Sequence, residues 1–379
     1  MTHNRIALAF TLLMLPCSYV FAASTAYLQT NLVSDLSTEG AVTVDTHTKN
    51  PWGMSFSTGS PFWISNQGTN STTLYTGTGA PVSAIDVTIP GGPTGQVFNS
   101  AGGNNFPVAP GGTGSAFIFD TLSGTINAWN GSLGLMGTAA TVKTTAGASY
   151  TGLAITPGGS SSPTLYAANF TNGGGINVFD SNFNQLNGTT FAGKFADPSV
   201  PAGYAPFNIQ LVGNSLYVEY AQVGPTGRAN RGAGLGFVDQ YDLSGNLLQH
   251  FSGSEFNAPW GVALAPGNFG QFSNDLLVGN FGNGEINALD ASGNFLGTLT
   301  DGNGNPIVNE NLWALDFRTN GGSSSVPNGL YFDAGINGEN DGLFGYLAPA
   351  PEPSVYGLAT LGLTLVGGFA VARKRQVRS

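Results

Sequence analysis

Acidic and amide side chains recur at one position of a repeated sequence unit, at the end of its second β-type segment and before a Gly-containing turn. In six successive units the position holds Asn66, Asp120, Asn169, Glu219, Asn280 and Asp333, with the register at Glu219 and Asp333 ambiguous by one residue. These oxygen ligands could hold a divalent cation, or form a ring of polar groups that binds a small ligand. The structural alternative is that each side chain caps its own hairpin by accepting a hydrogen bond from a backbone N–H two residues on.

The elements that position these side chains are clearest between Asn257 and Leu299. This stretch holds four short segments rich in β-favouring or apolar residues, WGVAL, DLLVGN, GEINALD and FLGTL, and Gly, Asn, Ser and Pro clusters separate them. Because one four-stranded unit cannot bury its own faces, it must pack beside copies of itself.

Six such units follow one another at a regular interval. Their aligned first strands carry Trp52, Thr94, Thr151, Phe207, Trp260 and Trp313, which are 42, 57, 56, 53 and 53 residues apart. The spacing predicts an all-β fold, a six-bladed β-propeller of four-stranded blades, over residues 24–347. Five or seven blades are the alternatives, because the second unit diverges most. A β-sandwich would not repeat its strand order at this interval, and a solenoid would repeat at a shorter one.

Two further interpretations concern residues near the inner strands. Trp52, Trp260 and Trp313 are expected to pack between blades; the alternative is that they line the channel and stack on a sugar. The run from Asp301 to Asn305 looks like the start of a calcium loop. It lacks the later residues of an EF-hand, so a turn is expected there.

Several phrases of the sequence carry a resemblance to known proteins. The blades resemble the NHL class of repeat. Residues 31–347 resemble an uncharacterised family of secreted bacterial propeller proteins through phrases such as NPWGMSF, GFVDQYDLSGNLL and NAPWGVALAPGNFGQFSNDLLVGNFGNGEINALD. The resemblance implies a propeller fold and an export context, but no established activity or catalytic residues.

Composition narrows the classes of partner and chemistry. The 57 glycines and 8% charged residues suit an all-β chain with many tight turns. Without the two ends, six basic residues face twenty acidic ones, and this balance excludes nucleic acid as a partner. Cys17 is the single cysteine, and it lies in a leader segment. No nucleophile elbow, P-loop or histidine with catalytic flanking residues is found.

The N-terminus predicts export. Residues 1–22 combine Arg5, an apolar segment and a small-residue cleavage pattern, as in a secretory signal peptide. A lipoprotein acceptor role for Cys17 is the alternative, which Pro16 disfavours. The lead-in that follows contains one strand-like piece, Ala41 to Val44, and a leading strand often completes the last blade of a propeller.

The C-terminal segment, residues 348–379, has three parts in fixed order. An uncharged run from 355 to 372 is long enough for a transmembrane helix. It lies between two polar motifs, Pro351, Glu352, Pro353 and Arg373, Lys374, Arg375. The order resembles the PEP-CTERM sorting signal. The resemblance implies transient anchoring in the inner membrane, processing by an exosortase, and delivery to the cell surface or extracellular matrix.

These observations favour an exported, non-enzymatic binding or structural module that contacts polysaccharide or other matrix components. The alternative is a secreted metal-dependent hydrolase or lactonase whose site lies at the propeller axis. No cofactor is predicted for the binding or structural module. The hydrolase or lactonase would require Ca²⁺ or another divalent metal near Asp120, Glu219 and Asp333.

Overall fold

The strands form six antiparallel sheets, one for each repeat, in a computed structural model that describes residues 24–157, 162–318 and 322–351. The compact unit spans Thr25–Pro351. The predicted signal peptide and most of the predicted sorting segment, from Glu352 onward, lie outside the described residues, and Pro351 is exposed. Among the residues that are described, no helix is both long enough and apolar enough to span a bilayer.

The first three blades begin after the lead-in strands β1 (Tyr27–Ser34) and β2 (Thr43–Val44). Blade one contains β3 (Pro51–Ser55), β4 (Phe62–Asn66), β5 (Ser71–Tyr75) and β6 (Pro81–Thr88). Blade two contains β7 (Pro93–Phe98), β8 (Phe117–Thr121), β9 (Thr125–Trp129) and β10 (Ala140–Thr144). Blade three has three strands, β11 (Tyr150–Ile155), β12 (Leu165–Asn169) and β13 (Ile176–Phe179).

The last three blades repeat the pattern. Blade four contains β14 (Tyr204–Val212), β15 (Ser215–Gln222), β16 (Gly236–Tyr241) and β17 (Leu247–Ser252). Blade five contains β18 (Pro259–Leu264), β19 (Leu276–Asn280), β20 (Ile286–Leu289) and β21 (Phe295–Thr298). Blade six contains β22 (Leu312–Phe317), β23 (Leu330–Ala334) and β24 (Leu343–Pro349). Short helical turns occur at Ser37–Glu39, Gln67–Thr69, Gly131–Leu133, Gly270–Phe272, Gly322–Ser324 and Ile336–Glu339.

The ring closes through the lead-in, although not through the segment that the sequence indicated. β1 pairs antiparallel with β24 along its length, from Tyr27 opposite Pro349 to Ser34 opposite Leu343. Of the strand predicted from Ala41 to Val44, only β2 forms, and it is a short edge strand parallel to β1. The apolar pattern of a strand is interrupted in β1 because its middle residues, Gln-Thr-Asn, are polar, and none of them is fully buried.

The inner strands β3, β7, β11, β14, β18 and β22 approach one another closely around the axis. Each contains a register shift in its pairing with the second strand, a β-bulge that increases local twist. Glycine permits the close approach in four of them. A Cβ on Gly261, for example, would lie 2.4 Å from the carbonyl oxygen of Trp313 in the next blade.

Apolar clusters fill the interfaces between the blades, and one of them continues to the axis. There Trp52, Trp260 and Trp313 contact one another, with the rings of Trp52 and Trp313 stacked at 3.6 Å between centroids. Phe207, from the opposite side of the ring, touches both Trp52 and Trp313. The tryptophans are therefore packing residues, as expected, but they plug the channel instead of separating neighbouring blades.

Candidate functional site

The strand pairing resolves the register of the predicted polar ring into two positions. Asn66, Asn169 and Asn280 end the second strands of blades one, three and five, opposite the first residues of the inner strands. Asp120, Glu219 and Asp333 lie one residue earlier, in blades two, four and six. At that earlier position the odd blades carry only Ser65, Ala168 and Gly279. Acidic and small residues thus alternate around the ring.

The three acidic side chains point into the interfaces between blades. Residues two apart on a strand share a face, and Ile118 packs against Leu153 of the third blade, so Asp120 faces that blade too. By the same rule Glu219 faces blade five and Asp333 faces blade one, because Tyr217 and Tyr331 pack there. The three carboxyl groups occupy three separate interfaces.

Asp120 is fully buried and tied to two inner strands. Its Oδ1 accepts a hydrogen bond of 2.7 Å from the hydroxyl of Thr94, and backbone N–H groups of Gly95 and Gly152 also point to it. Burial nevertheless dominates, and it raises the pKa of Asp120 to about 7. The carboxyl group therefore joins blades two and three at the level of their bulges, where N–H groups leave the regular ladder.

Glu219 and Asp333 have fewer partners. Both side chains are fully buried, and their carboxyl oxygens lack a hydrogen-bond partner among the described residues. Burial raises the pKa of both groups well above the ordinary value. These two acids and Asp120 do not converge on the channel, so the predicted axial metal site is not assembled from them.

Two of the three asparagines brace the start of an inner strand, and the third binds within its own hairpin. Asn169 accepts a hydrogen bond of 3.0 Å from the N–H of Ser149, and Asn280 accepts one of 2.9 Å from the N–H of Asn257. Asn66 instead donates to the hydroxyl of Thr73 at 2.8 Å. Asn169 and Asn280 therefore accept hydrogen bonds from backbone N–H groups, but these donors precede the inner strand of the blade. They are not the N–H groups two residues on in the hairpin that the structural alternative expected.

The Asp301 run forms an ordinary turn. Its Oδ1 accepts hydrogen bonds from the N–H groups of Asn303 and Asn305, at 2.8 and 2.9 Å. Asp242 and Asp290 make the same pair of bonds in their own blades. The resemblance to a calcium loop thus reflects a turn that also occurs after the third strands of blades four and five.

A cavity of about 490 Å³ occupies the axis on the side of the tryptophan plug that faces away from the starts of the inner strands. Inner strands of all six blades line it, and Trp260 belongs to the lining. Residues beyond the strand ends, such as Phe56, Ser100 and Gly213, form its mouth. This volume lies within the range of roughly 300 to 1,000 Å³ that is usual for small-molecule sites.

One ring of equivalent residues gives the cavity its polar character. The ring lies three residues after the aligned first-strand positions and consists of Ser55, Val97, Ala154, Gln210, Ala263 and Asp316. Our reading of the sequence missed it. The signal was available, since the template blade has Ala263 where two other blades carry Gln210 and Asp316.

The cavity presents hydrogen-bond acceptors. Asp316 is the only ionisable residue among the described lining residues, and burial raises its pKa to about 7 although the N–H of Phe317 and the charge of Arg318 oppose the shift. Ser55 Oγ and Gln96 Oε1 are buried without a hydrogen-bond partner among the described residues. A group that donates hydrogen bonds, or a cation, would suit these atoms better than an anion would.

Two glutamines hold the cavity wall in place. Gln210 donates to the carbonyl oxygen of Leu315 at 3.1 Å and accepts from the N–H of Val262 at 3.2 Å, so it links three blades. Gln96 donates to the carbonyl oxygen of Gly53 at 2.9 Å. The amide NH₂ groups of both glutamines are therefore engaged within the wall.

The opposite end of the channel is covered by a charged cluster above the tryptophan plug. Arg231 lies 4.4 Å above the centre of the Phe281 ring, donates to Asn311 at 2.5 Å, and reaches Glu339 at 3.8 Å. Arg228 forms a second ion pair with Glu339. A ligand would therefore enter from the Asp316 side.

Comparison with solved structures finds distant matches at low sequence identity. The chain is similar to virginiamycin B lyase from Staphylococcus aureus, with 12% identity, a TM-score of 0.43, and coverage of 85% of this chain and 98% of that one. Hydrazine synthase of Kuenenia stuttgartiensis has 12% identity and a TM-score of 0.47, and the match covers 80% of this chain and 84% of that one. A regucalcin from Agrobacterium tumefaciens has 11% identity and a TM-score of 0.45, and the match covers 81% of this chain and 94% of that one. No protein-family model matches the chain.

Sequence relatives come from Acanthamoeba polyphaga mimivirus, whereas the sequence suggested a bacterial family. Uncharacterized protein R648 is 31% identical over 334 residues, which cover 83% of this chain and 78% of that protein. Uncharacterized protein R640 is 30% identical over 269 residues, or 65% of this chain and 49% of its own length. The chain therefore belongs to the family of the uncharacterized protein R648 of this virus.

Proposed function

We propose that the protein is a binding module whose ligand occupies the axial cavity. The observation that carries the proposal is the cavity itself, which all six blades line and in which Asp316 is the one ionisable group among the described residues. The acceptor-rich wall favours a neutral polyhydroxyl compound or a small amine. An excess of acidic over basic residues in the whole chain points the same way, because it disfavours anionic ligands.

Within that class, a sugar unit of a polysaccharide or of another matrix component is the proposed ligand. Hydroxyl groups could donate to Asp316 and Gln96, which lie on the cavity wall with Trp260 at its base. The hydrolase alternative would need carboxylates that converge on the axis. Of Asp120, Glu219, Asp333 and Asp316, only Asp316 lines the axial cavity.

The test is a binding assay with neutral oligosaccharides derived from cellulose and starch, and with an alkyl diamine, by isothermal titration calorimetry. Asp316→Asn should weaken binding at least about tenfold, since a hydrogen bond to a charged group contributes roughly 1.5 to 3 kcal/mol. Asp301→Asn is the matched control on an exposed turn. Equal affinity of Asp316→Asn and the wild-type protein for a bound probe would reject the axial site.

We further propose that the protein is exported by a bacterial cell through its signal peptide. The PEP-CTERM segment would anchor it briefly in the inner membrane until an exosortase passes it to the surface or matrix. The support is the order of the motif around Pro351, Glu352 and Pro353, the apolar run, and the basic end. Deleting residues 351–379 should abolish surface display, measured by fractionation and antibody labelling of whole cells. Unchanged display would reject the sorting step.

A further inference from the structure

A second group of chemically active side chains lies away from the axis, at the outer part of blade four. Asp239 on β16 and His250 on β17 are paired across the sheet, and Asp197 reaches them from the long connection between blades three and four. One possible ligand atom from each of the three residues lies within 4.8 Å of the others. Among the described residues, this is the one cluster of three such side chains.

Two carboxylates converge on the same nitrogen of the histidine ring. His250 Nδ1 lies 2.7 Å from Asp239 Oδ1 and 2.8 Å from Asp197 Oδ2. An imidazole carries at most one hydrogen on Nδ1, and protonation of the ring adds its hydrogen at the other nitrogen. The ring can therefore satisfy one carboxylate, and Asp197 Oδ2 is left buried without a hydrogen-bond partner.

The remaining oxygen of each carboxylate is already fixed by the protein. Asp197 Oδ1 accepts a bond of 2.7 Å from the N–H of Ser199, and Asp239 Oδ2 accepts one of 2.9 Å from the hydroxyl of Tyr241. Tyr241 is held in turn by Tyr220 at 3.0 Å. One oxygen of each carboxylate is thus free to face the ring nitrogen, and outer partners orient both, as is usual around bound metals.

We propose that Asp197, Asp239 and His250 bind a divalent transition-metal ion, Zn²⁺ or Mn²⁺. The imidazole nitrogen disfavours Ca²⁺ and Mg²⁺, which prefer oxygen ligands. Metal–ligand bonds of about 2.0 to 2.2 Å place neighbouring ligand atoms roughly 3 Å or more apart. The observed separations need to widen by only a few tenths of an ångström to admit the ion.

Burial and charge support the same assignment. The side chains of Asp197 and Asp239 are 1% and 0% exposed, whereas that of His250 is 21% exposed, so an ion could enter past the ring and water could complete its coordination. Two carboxylates and a neutral imidazole would balance a dication. The ion would fasten the connection between β13 and β14 to the outer strands of blade four.

His47 provides a built-in comparison. It also lies near two carboxylates, but Asp45 approaches Nδ1 at 3.0 Å while Asp86 approaches Nε2 at 3.7 Å. These nitrogens point away from each other, so one ion cannot bind both sides of the ring. The His47 side chain is also 54% exposed. It therefore serves as the control histidine.

The experiment uses the purified full chain, stripped with EDTA and titrated separately with Zn²⁺, Mn²⁺ and Ca²⁺, with bound metal counted by mass spectrometry. We expect one Zn²⁺ or Mn²⁺ per chain and a higher melting temperature with metal. Asp197→Asn and His250→Gln should each weaken binding at least about tenfold, a loss typical of damaged metal sites. His47→Gln should bind like the wild-type protein.

Asp197→Asn lies on a connection rather than in a strand, so it keeps the test valid if His250→Gln misfolds. Absence of stoichiometric Zn²⁺ and Mn²⁺ binding by the folded wild-type chain would overturn the proposal. Binding that survives both Asp197→Asn and His250→Gln would overturn it as well. Neither result bears on the oligosaccharide assay, because the cluster does not line the axial cavity.

Discussion

Replacing Asp120 with Asn should remove a defined part of the pH dependence of stability. The folded-state pKa is about 7, against 3.8 for an unperturbed group, because the carboxyl group is fully buried. Since the pKa is raised, the stabilisation is complete below the unfolded value and is lost as pH rises through the folded value. At about 1.36 kcal/mol per pKa unit, the loss between pH 4 and pH 8 is of order 4 kcal/mol.

The unfolding free energies of the asparagine variant and the wild-type protein should cross as pH rises. Its amide oxygen keeps the bonds from Thr94 and the glycine N–H groups, but its NH₂ group replaces Oδ2, which has no partner among the described residues. The NH₂ group has two hydrogens to satisfy where the protonated wild-type carboxyl group has one. Since an unsatisfied buried donor costs about 1 to 3 kcal/mol, the variant should be less stable at pH 5. At pH 8 it should equal or exceed the wild-type protein, which then carries a buried charge.

The measurement is guanidinium unfolding at several pH values between 5 and 8, followed by tryptophan fluorescence and circular dichroism. Asp290→Asn is the control, because Asp290 is exposed and its pKa is lowered. Its effect on the pH dependence of stability is therefore confined to pH values below the measured range. The reasoning is wrong if Asp120→Asn folds and shows the same slope of unfolding free energy against pH as the wild-type chain.

Three further perturbations test the packing around the axis. Trp313→Ala should destabilise the fold by about 3 to 5 kcal/mol, because it empties the centre of the plug, and calorimetric melting would show it; a change below 1 kcal/mol would count against a packed plug. Gly261→Ala should cost about 1 to 3 kcal/mol through its contact with the next inner strand, while Gly302→Ala, with no atom within 4 Å of the added Cβ, should be neutral; equal melting temperatures would refute the contact. Removing residues 24–36 should expose the edge of β24 and cause aggregation, measured by light scattering; a monomeric, equally stable product would show that β1 is dispensable.

The repeat could be predicted from sequence because its signals are local. Turn residues and short β-type segments recur in every unit. Five of the six inner strands begin one residue before the aligned position, and β14 begins three residues before Phe207. The strand that closes the ring, β1, was harder to predict. Its pairing joins residues more than 300 positions apart, and polar Gln29, Thr30 and Asn31 interrupt the apolar pattern that marks a strand.

The candidate sites were less predictable for a geometric reason. Whether Asp120 faces a channel or a neighbouring blade depends on a register of one residue, and the bulges of the inner strands shift that register. Asp316 is a different case, because comparing each blade with the template would have singled it out. The cluster at Asp239 and His250 depends on Asp197 from a long connection, and no periodic pattern predicts that contact.

The pairing of β1 with β24 also fixes an order of events during synthesis. Among the described strands, the one that contains Tyr27 emerges first and its partner around Pro349 emerges last. At roughly 5 to 20 residues per second, the first strand waits about 15 to 60 s for the residue that completes the ring. Throughout that interval the backbone N–H and C=O groups of β1 that face β24 in the finished sheet remain unpaired with it, so this edge stays open until synthesis has passed Pro349.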